Sequence, residues 1–484
     1  MRCVRAGPDF IDDPERYGNI GADIIELQLG RFPMVNPGKL RLLADRANLR
    51  TLATVGSLEG HGRGLLEKAV LARFDYVEVP LDTDVETRGR MLAQARKIGV
   101  KVVLSHRTAR PPGTVEAVLR LFQKCSRAGG DLALASFGVH LSAQVRVLRE
   151  VSSAASALGI PFGIAGTGRL SRLVSLLRAD ISFGALGGSG DGLDIGLLSR
   201  LGPATRLFAQ VGEPAHPTVP LEVLNGSFRA TGCDCACIRL EPVPDDAPGL
   251  IRLLGEMGFE GFTVGRPFRL GLIPLARAIG PAIPAVSVAT RRDGRFIGHD
   301  TDGPAMLEAL ESSGIRVHRR RALVLGTGGA ARSAALSLSS RGARVVLAGR
   351  SLRRALDAAA AVGAQAASLS TIGPLLDRSS LLVNTIPRID DALLPDPCLR
   401  PDLVVVDLDC SPTASSLAGR AAGSGARTVD GIAVLRRGLS EALRLFTGVR
   451  PPAELVGRLM DESLRREASK KKSLRATKVI NLQK

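Results

Sequence analysis

The stretch Ala322–Ser351, ALVLGTGGAARSAALSLSSRGARVVLAGRS, decides the fold of the C-terminal half of the chain. Its apolar run Leu323–Leu325 predicts a strand, a glycine-rich turn and a helix of small residues follow, and Val345–Ala348 predicts a second strand. In such a turn the missing Cβ atoms let the backbone approach a pyrophosphate at the N-terminus of a helix. We therefore predict a bound dinucleotide, and a glycine-rich turn without a ligand is the alternative. The predicted cofactor-binding residues of the turn are Gly326, Thr327, Gly328, Gly329 and Ala330.

The end of the second strand indicates which dinucleotide binds. It lacks the acidic residue that would hydrogen-bond an unphosphorylated ribose, and it offers Arg350, Ser351 and Arg353 instead. Arginine and serine can bind a 2′-phosphate through charge-assisted hydrogen bonds. The sequence therefore favours NADP over NAD, although an arginine here can also be an ordinary solvated loop residue.

Length and hydropathy bound the class of protein. The 484 residues are too many for one hydrophobic core and suit two or three domains, and the 45% hydrophobic content is typical of globular packing. No apolar run reaches the roughly 18 residues that cross a bilayer, and Met1–Arg5 lacks the hydrophobic segment of a signal peptide. We expect a cytoplasmic protein that does not contact a membrane.

The formal net charge of +18 suggests an anionic partner. Nucleic acid is disfavoured because aromatic residues make up only 3% of the chain, tryptophan is absent and the arginines are spread over every segment. We expect an anionic small-molecule substrate, while an arginine-rich proteome explains the charge equally well.

The sequence does not fix the oligomeric state, and a monomer is plausible. Residues 463–484 concentrate lysine and arginine and are predicted to form a basic, disordered tail.

The seven cysteines do not form the pattern of a disulfide framework. Cys233, Cys235 and Cys237 alternate, so on a strand they would share one face, as three thiol ligands of a soft metal would. No histidine or further cysteine pair lies nearby to complete four ligands. We therefore predict a buried strand face and no metal.

The first 201 residues alternate short apolar runs with amphipathic helices. Seven or eight such βα units predict a parallel (β/α)8 barrel of the TIM type, whose ligand groups lie at the C-terminal ends of the strands. The apolar runs are Ile24–Leu29, Leu52–Val55, Tyr76–Val79, Lys101–Leu104, Leu132–Ala135, Phe162–Ala165 and Ile181–Gly184.

A second α/β module begins near Thr205 and leads into the dinucleotide unit. We predict a barrel over residues 1–203, a small α/β substrate domain over 204–305, and a Rossmann domain with a return helix over 306–462. The predicted elements are the strands Leu207–Val211, Gly232–Val243, Phe262–Val264, Ala285–Ala289, Leu381–Asn384 and Leu403–Leu408 and the helices Pro304–Ser313 and Val434–Phe446.

Short motifs in the C-terminal half are similar to those of a known family. Gly298–Gly303 (GHDTDG) resembles G-x-N-T-D-G, Leu382–Pro387 (LVNTIP) resembles I-N-A-T-P, and the glycine turn matches the nucleotide loop. Asp407–Pro412 and the segment from Gly431 fall where the family has D-x-x-Y-x-P and G-x-x-M-L-x-x-Q. The family is that of the bifunctional shikimate-pathway proteins, in which a type I 3-dehydroquinate dehydratase precedes a shikimate dehydrogenase.

The N-terminal half resembles the dehydratase of the same family, so the likeness extends from residue 1 to about residue 460. Ala22–Leu27 resembles A-D-x-x-E-x-R, and Val102–Ser105 resembles the strand before the catalytic histidine. Leu170–Arg172 and Ser182–Ala185 match late substrate-binding segments. The resemblance implies a barrel enzyme that forms a Schiff base with its substrate.

Two positions that the dehydratase reaction needs are altered. The family lysine of D-x-x-K-I-A falls on Leu134, and leucine cannot form an imine. The motif S-x-H has become Ser105-His106-Arg107, so His106 is displaced by one position. On a strand it would point to the opposite face, unless the strand has already ended in a loop.

Other positions of the dehydratase site are partly retained. Two arginines that the resemblance implies are replaced by Gln28 and Gly56, and a late glutamine is replaced by Leu193. We predict that this half is not a Schiff-base dehydratase and serves as a structural or ligand-binding module. The retained candidate substrate-binding residues are Glu26, Arg172 and Ser189.

The dehydrogenase half keeps one member of its catalytic pair. The family lysine of N-V-T-x-P-x-K is Arg269 here, whereas the partner carboxylate Asp302 remains. Arginine can polarise a carbonyl and pair with a carboxylate, but it does not release a proton near neutral pH. A plain ion pair left in an unused cleft is therefore the alternative to a catalytic pair.

Substrate-hydroxyl contacts that the resemblance implies are reduced. The serines of S-x-S-P are replaced in Pro217–Pro220, which leaves Thr218 as a candidate, and an asparagine is replaced by Ser287. Cys410 and Gly438 stand where the family has tyrosine and glutamine.

Two hypotheses follow from the resemblance. In the first, the chain reduces 3-dehydroshikimate or a related keto acid to shikimate with NADP and carries an inactive barrel. In the second, it is a non-catalytic paralogue that binds a nucleotide or a shikimate-like ligand in a regulatory or scaffold role.

Overall fold

The computed structural model describes residues 1–59, 61–186, 193–213, 219–276, 283–387, 389, 392–410 and 416–482, and the side chains from 275 to 276 and beyond 469 are not described. The chain divides into two compact units. One comprises Met1–Thr205 and Leu240–Leu253, and the other comprises Arg206–Arg239 and Leu254–Lys484. None of the described helices combines the length and the apolar character that crossing a bilayer requires.

The first unit is built around a closed parallel barrel of eight strands, as predicted. Each strand pairs with the next one along the chain, and the first pairs with the eighth. A ninth, two-residue strand pairs in parallel with the eighth. The strands are β1 Arg2–Arg5, β2 Ile24–Gln28, β3 Arg50–Thr54, β4 Tyr76–Pro80, β5 Lys101–Arg107, β6 Leu132–Gly138, β7 Phe162–Thr167, β8 Ile181–Ala185 and β9 Leu193–Asp194.

Helices follow most of the barrel strands, as expected of a chain in which each parallel strand needs a crossover. Side-chain caps mark the starts of α2, α4, α5 and α8; Asp84, for example, accepts a hydrogen bond from the Thr87 amide at 2.8 Å. The helices are α1 Glu15–Asn19, α2 Pro37–Arg46, α3 His61–Leu71, α4 Val85–Ile98, α5 Val115–Arg127, α6 Ser142–Ala157, α7 Ser171–Val174 and α8 Ile195–Leu198.

The barrel interior is filled by alternate residues of its strands. Side chains from seven strands form one buried cluster, because successive residues of a strand point to opposite faces. The interior is therefore a packed core at this level, and only residues nearer the C-terminal strand ends can form a site. The cluster consists of Cys3, Ile24, Leu52, Tyr76, Val103, Leu132, Leu134 and Ile181.

The second unit contains two sheets. The strand order of the first is β11-β10-β12-β13-β14, with β13 and β14 antiparallel, and that of the second is β17-β16-β15-β18-β19-β20, which is wholly parallel. The second order is that of a doubly wound nucleotide-binding sheet and confirms the predicted Rossmann fold. The strands are β10 Arg206–Val211, β11 Cys235–Leu240, β12 Gly261–Val264, β13 Val288–Arg292, β14 Arg295–His299, β15 Arg321–Leu325, β16 Arg344–Gly349, β17 Gln365–Ser368, β18 Leu381–Asn384, β19 Val404–Asp407 and β20 Arg427–Asp430.

Helices cover the parallel sheet on both faces. Two buried clusters lie on either side of it, one centred on α13 and α14 and the other on the helices that follow β17 and β19. The helices from residue 219 onward are α9 Val219–Ala230, α10 Ala247–Glu256, α11 Phe268–Gly271, α12 Ile273–Ala276, α13 Asp302–Ser312, α14 Gly329–Ser340, α15 Leu352–Ala360, α16 Ile372–Asp377, α17 Leu417–Gly423, α18 Gly431–Thr447 and α19 Ala453–Leu482. Most of α10 belongs to the first unit.

The structure differs from the sequence-based expectation at the end of the chain. We expected a disordered tail from residue 463, but α19 continues through this point to Leu482. Ser463 is 1% exposed and donates a hydrogen bond of 2.7 Å to Glu222, and Met460 packs in the core beside α9. Contacts of the helix with α9 thus reach the first residues of the basic segment, which the charge pattern alone did not reveal.

Candidate active site

The glycine turn between β15 and α14 has the backbone geometry of a nucleotide cradle. Gly326 has φ +119°, a conformation that side chains disfavour, and a Cβ there would collide with Thr385 Oγ1. Gly328 precedes the helix without a side-chain cap, and no atom lies within 4 Å of the position that its Cβ would occupy. Space is therefore open beside Gly328 at the N-terminus of α14, where a pyrophosphate would lie.

Arg332 adds a positive charge to this turn, and sequence reasoning missed it. It lies on the first turn of α14, and its Nε donates to the carbonyl of Thr327 at 3.4 Å. Thr327 and Ala330 occupy the turn as expected, and the Cβ of a residue at Gly349 would lie 2.5 Å from Thr327 Cγ2. The turn thus packs directly against the end of β16.

The predicted 2′-phosphate site lies just beyond β16. Arg350, Ser351 and Arg353 are exposed, and Ser351 Oγ caps α15 by accepting a hydrogen bond of 3.4 Å from the amide of Arg354. The two arginine side chains are therefore placed at the same edge of the sheet as the glycine turn, because the carboxyl ends of parallel strands meet there.

Arg269 and Asp302 form a direct ion pair, as the sequence suggested. Arg269 Nη1 donates to Asp302 Oδ2, and Arg269 Nε donates to the carbonyl of Val264 at 3.0 Å. The two side chains are 24% and 22% exposed, so the pair is accessible without being fully solvated. Asp302 is the first residue of α13, where the helix dipole favours a negative charge.

The ion pair lies against the glycine turn. A Cβ at Gly329 would come within 2.8 Å of Arg269 Cβ and 3.1 Å of Ala285 Cβ. The absence of a side chain at Gly329 is therefore what allows the start of α14 to approach the pair. The cradle and the candidate catalytic pair occupy one continuous site.

A second carboxylate, Asp300, lies beside the pair, and sequence reasoning did not single it out. Ser333 Oγ donates to Asp300 Oδ1 at 2.6 Å and accepts from the amide of Gly303 at 2.6 Å. Burial raises the pKa of Asp300 to about 6; the bond from Ser333 acts in the lowering direction and the charge of Asp302 in the raising direction. The available signal was the aspartate in GHDTDG at a position where the family motif has asparagine.

Ser287, a candidate substrate-binding residue, is 5% exposed and bonded to the neighbouring backbone. Its Oγ donates to the carbonyl of His299 at 3.2 Å, accepts from the amide of Thr301 at 2.7 Å and lies 2.9 Å from Thr301 Oγ1. These contacts hold the segment that precedes Asp302. Thr218 lies outside the described residues.

Two further positions in the C-terminal half bear on the pocket. Burial raises the pKa of the Cys410 thiol to about 12, so this group is neutral where the family motif has a tyrosine hydroxyl. Asn384 Nδ2 donates to Asp407 Oδ1 at 2.9 Å and joins the ends of β18 and β19. Gly438 on α18 faces α13, where a Cβ would lie 4.0 Å from Ala305 Cβ.

Four charged side chains form an ionic network at the C-terminal ends of the barrel strands. Arg107 donates to both oxygens of Glu78 at 2.6 Å and to Glu26 at 3.3 Å. Arg5 donates to both oxygens of Glu26 at 3.2 and 3.0 Å. The side chains of Glu26 and Glu78 are 3% and 7% exposed, whereas those of the two arginines are partly exposed to solvent. Two positive and two negative charges thus neutralise one another inside the barrel mouth.

The positions implied by the dehydratase motif lie around this network. Arg107 occupies the register position of the expected histidine, and desolvation of its guanidinium is outweighed by Glu78, which raises its pKa. His106 is exposed on the opposite face of β5, 6.2 Å from the ring of Phe137. Leu134, at the lysine position, is 1% exposed in the barrel core. Glu78 was missed, although a charged residue at an inward position of an apolar strand is a readable signal.

The other two barrel candidates are Arg172 and Ser189. Arg172, on α7, pairs with Glu241 at 3.9 Å, and Ser189 lies in the part of the chain that the structure does not describe.

No group of three or more metal-ligating side chains occurs among the described residues. Cys237 is buried, which raises its pKa, and Cys233 and Cys235 are half-buried on the same strand face or just before it.

Two comparisons concern the barrel and the chain as a whole. The profile of the type I 3-dehydroquinase family matches residues 9–199. The chloroplastic bifunctional 3-dehydroquinate dehydratase/shikimate dehydrogenase of Arabidopsis thaliana is 26% identical over 517 residues, which cover 95% of this chain and 84% of that protein.

Two more comparisons concern the second unit. The NADP+-dependent shikimate dehydrogenase of Methanosarcina barkeri is 31% identical over 279 residues, which cover 54% of this chain and 99% of that protein. The crystal structure of the shikimate dehydrogenase of Aquifex aeolicus has a TM-score of 0.50 and 25% identity, covering 54% of this chain and 98% of that chain.

Proposed function

The chain belongs to the shikimate dehydrogenase family, and from this premise we propose that its C-terminal half is an NADP-dependent oxidoreductase. We further propose that it interconverts a hydroxy acid such as shikimate and the corresponding ketone. The observation that carries the proposal is the contact of Gly329 with Arg269, which joins the nucleotide cradle to the Arg269–Asp302 pair.

The residues of the turn fit a dinucleotide. The open space at Gly328, the uncapped amides of α14 and Arg332 suit a pyrophosphate, and Arg350 and Arg353 suit a 2′-phosphate. The bound nucleotide would supply the hydride acceptor or donor. Ser351 contributes chiefly by capping α15, so we assign most of the preference for NADP to the two arginines.

In the proposed mechanism, Asp302 accepts the proton of the substrate hydroxyl as the carbonyl forms. Arg269 holds the carboxylate in place and donates hydrogen bonds to the developing carbonyl oxygen, where positive charge stabilises the transition state. Arginine does not exchange its proton near neutral pH, so the proton must reside on the carboxylate side of the pair.

We propose that the barrel is not a Schiff-base dehydratase. A buried leucine, Leu134, stands where the required amine would be. Arg107 stands where the proton-transferring histidine would be, and it forms ion pairs with Glu78 and Glu26. A structural or ligand-binding role remains for this half. Glu26, Arg172 and Ser189 as substrate-binding residues and the cytoplasmic location stay predictions.

A second candidate function is a non-catalytic one. It is supported by Ser287, whose hydroxyl is occupied by backbone groups, and by the substitution of arginine for the catalytic lysine. In this case the second unit would bind a nucleotide or a shikimate-like ligand without turnover, in a regulatory or scaffold role.

Two assays separate these functions. The full chain is incubated with NADP+ or NAD+ and shikimate, quinate or related polyols, and the reduced nucleotide is followed by absorbance. We expect turnover with NADP+; nucleotide binding without turnover on any substrate would favour the non-catalytic role. For the barrel, we expect no borohydride-stable adduct with 3-dehydroquinate, and recovery of such an adduct would refute the loss of Schiff-base chemistry.

A further inference from the structure

Three hydrogen bonds that do not involve Arg269 hold the backbone at Asp302 and at its two neighbours in sequence. Its amide donates to Asp300 Oδ1 at 3.3 Å. The preceding residue, Thr301, donates its amide to Ser287, and the following residue, Gly303, donates its amide to Ser333. Ser333 is 0% exposed. Its hydroxyl accepts the bond from Gly303 and donates to Asp300, so it links the Gly303 amide to the carboxylate that binds the Asp302 amide.

We propose that Asp300 is a positioning residue of the oxidoreductase site, whose ionised carboxylate, anchored by Ser333, holds the backbone of Asp302 so that its side chain faces Arg269. The inference rests on the proposed function. It assigns a role to a carboxylate that stands where the family motif has a neutral asparagine.

The geometry supports this role because Asp300 connects two elements. Asp300 follows β14, whereas Ser333 lies on α14, the helix that begins at the nucleotide turn. A Cβ at Gly303 would collide with Ser337 Oγ and with the backbone of Ser333, so α13 and α14 are in direct contact at this point. Asp300 thus links the backbone of Asp302 to α14 through Ser333.

Ionisation of Asp300 strengthens both of the bonds that it accepts. A carboxylate is a better acceptor than a carboxylic acid, so protonation weakens its bonds to Ser333 Oγ and to the Asp302 amide. The charged groups that act on Asp300 are Asp302, which disfavours ionisation, and Arg269, which favours it. Because burial raises its pKa to about 6, the hold on Asp302 should weaken as the pH falls through that value.

The experiment measures kcat/KM as a function of pH with the full chain, NADP+ and the substrate that it turns over. We expect an acid limb near pH 6 in the parent protein and no such limb in Asp300→Asn, because an amide oxygen accepts the same bonds without titrating. Asp300→Ala should lose roughly tenfold to hundredfold at pH 8, the cost of a bond to a charged group.

Two serine variants complete the design. Ser333→Ala removes the donor to Asp300, which should move the acid limb to higher pH, since that bond acts to lower the pKa. Ser337→Ala, one turn further along α14, removes a hydroxyl that does not contact Asp300 and should leave the profile unchanged. An acid limb that persists in Asp300→Asn, or an equal effect of both serine variants, would overturn the proposal.

A second readout does not depend on catalysis. The fold favours protonated Asp300, because its pKa in the folded chain is about 6 against an ordinary value of 3.8. This contribution to stability is fully present below pH 3.8 and is lost as the pH rises through 6. The Tm of Asp300→Asn minus that of the parent should therefore increase over this interval and then level off. Absence of turnover would refute the proposed function alone, whereas a pH-independent Tm difference would refute the role of Asp300.

Discussion

Arg107 on β5 donates two hydrogen bonds of 2.6 Å to the two carboxylate oxygens of Glu78 on the neighbouring strand β4. The Glu78 side chain is only 7% exposed, so Arg107 supplies the hydrogen bonds that the carboxylate would otherwise receive from water. The barrel mouth is thus closed by an internal ion pair at the position where the dehydratase motif implies a titrating histidine. The proposed absence of Schiff-base dehydratase activity therefore rests on this ion pair as well as on the leucine at the lysine position.

The first prediction concerns the stability of the barrel. Arg107→Ala would leave Glu78 and part of the charge of Glu26 buried without a partner. We expect a loss of about 2 kcal/mol in the free energy of unfolding, below the value for a fully buried pair because the Arg107 side chain is 31% exposed. Chemical denaturation measures it. Arg110→Ala, an exposed arginine three residues later, is the control, and equal losses in both variants would contradict the account.

A second prediction concerns the nucleotide cradle. Gly328→Ala should fold normally, because Gly328 has φ −81° and space for a Cβ, but the added methyl group would occupy the volume assigned to the pyrophosphate. We expect NADP+ affinity to fall by at least roughly tenfold while the free energy of unfolding changes by less than about 1 kcal/mol.

Calorimetric titration and denaturation would measure the two quantities. Gly373→Ala, also a glycine with free space around it, should alter neither. Unchanged affinity in Gly328→Ala would place the nucleotide elsewhere or exclude it.

The third prediction separates NADP from NAD. Replacing Arg350 and Arg353 by alanine should weaken NADP+ binding by roughly tenfold to hundredfold and leave NAD+ binding unaffected, since only NADP+ carries the 2′-phosphate. Arg344→Ala tests for a general effect of charge, because Arg344 begins β16, at the opposite end of the strand. Equal weakening of both nucleotides would show that the arginines do not read the 2′-phosphate.

A fourth prediction concerns the arginine of the candidate catalytic pair. Arg269→Lys should raise kcat/KM by roughly tenfold or more, because a lysine can exchange its proton with the substrate oxygen and arginine cannot. Arg269→Ala should abolish turnover. With Arg266→Lys as the control, a decrease in Arg269→Lys comparable to that of the alanine variant would mean that the pocket has adapted to the guanidinium.

The sequence was informative about the fold where the hydrophobic pattern is local. The strand Leu381–Asn384 was predicted to the residue, and the barrel and the two α/β sheets are confirmed. The strand predicted at Ala285–Ala289 instead spans Val288–Arg292, because the Asp293-Gly294 turn, with φ values of 49° and 78°, extends the hairpin into a charged segment. The second strand of this hairpin, β14, was not predicted because Arg295 and His299 interrupt its apolar pattern.

The site was less predictable because its contacts are distant in sequence. The resemblance to the bifunctional family is confirmed by the comparisons, and the motifs led directly to Arg269 and Asp302. The bond between Asp300 and Ser333 spans 33 residues, and no periodicity indicates such a pairing. Glu78 was detectable, since its inward position on β4 breaks an apolar alternation. The roles assigned to the individual site residues remain predictions.

The most direct test of the central claim is the rate of NADP+ reduction by the parent protein and by Asp302→Asn, measured together with nucleotide affinity. We predict that the parent reduces NADP+ in the presence of a hydroxy-acid substrate, and that Asp302→Asn loses at least roughly a hundredfold in rate. Its affinity for NADP+ should be unchanged. A parent protein that binds no nucleotide, or an Asp302→Asn variant as fast as the parent, would contradict the account.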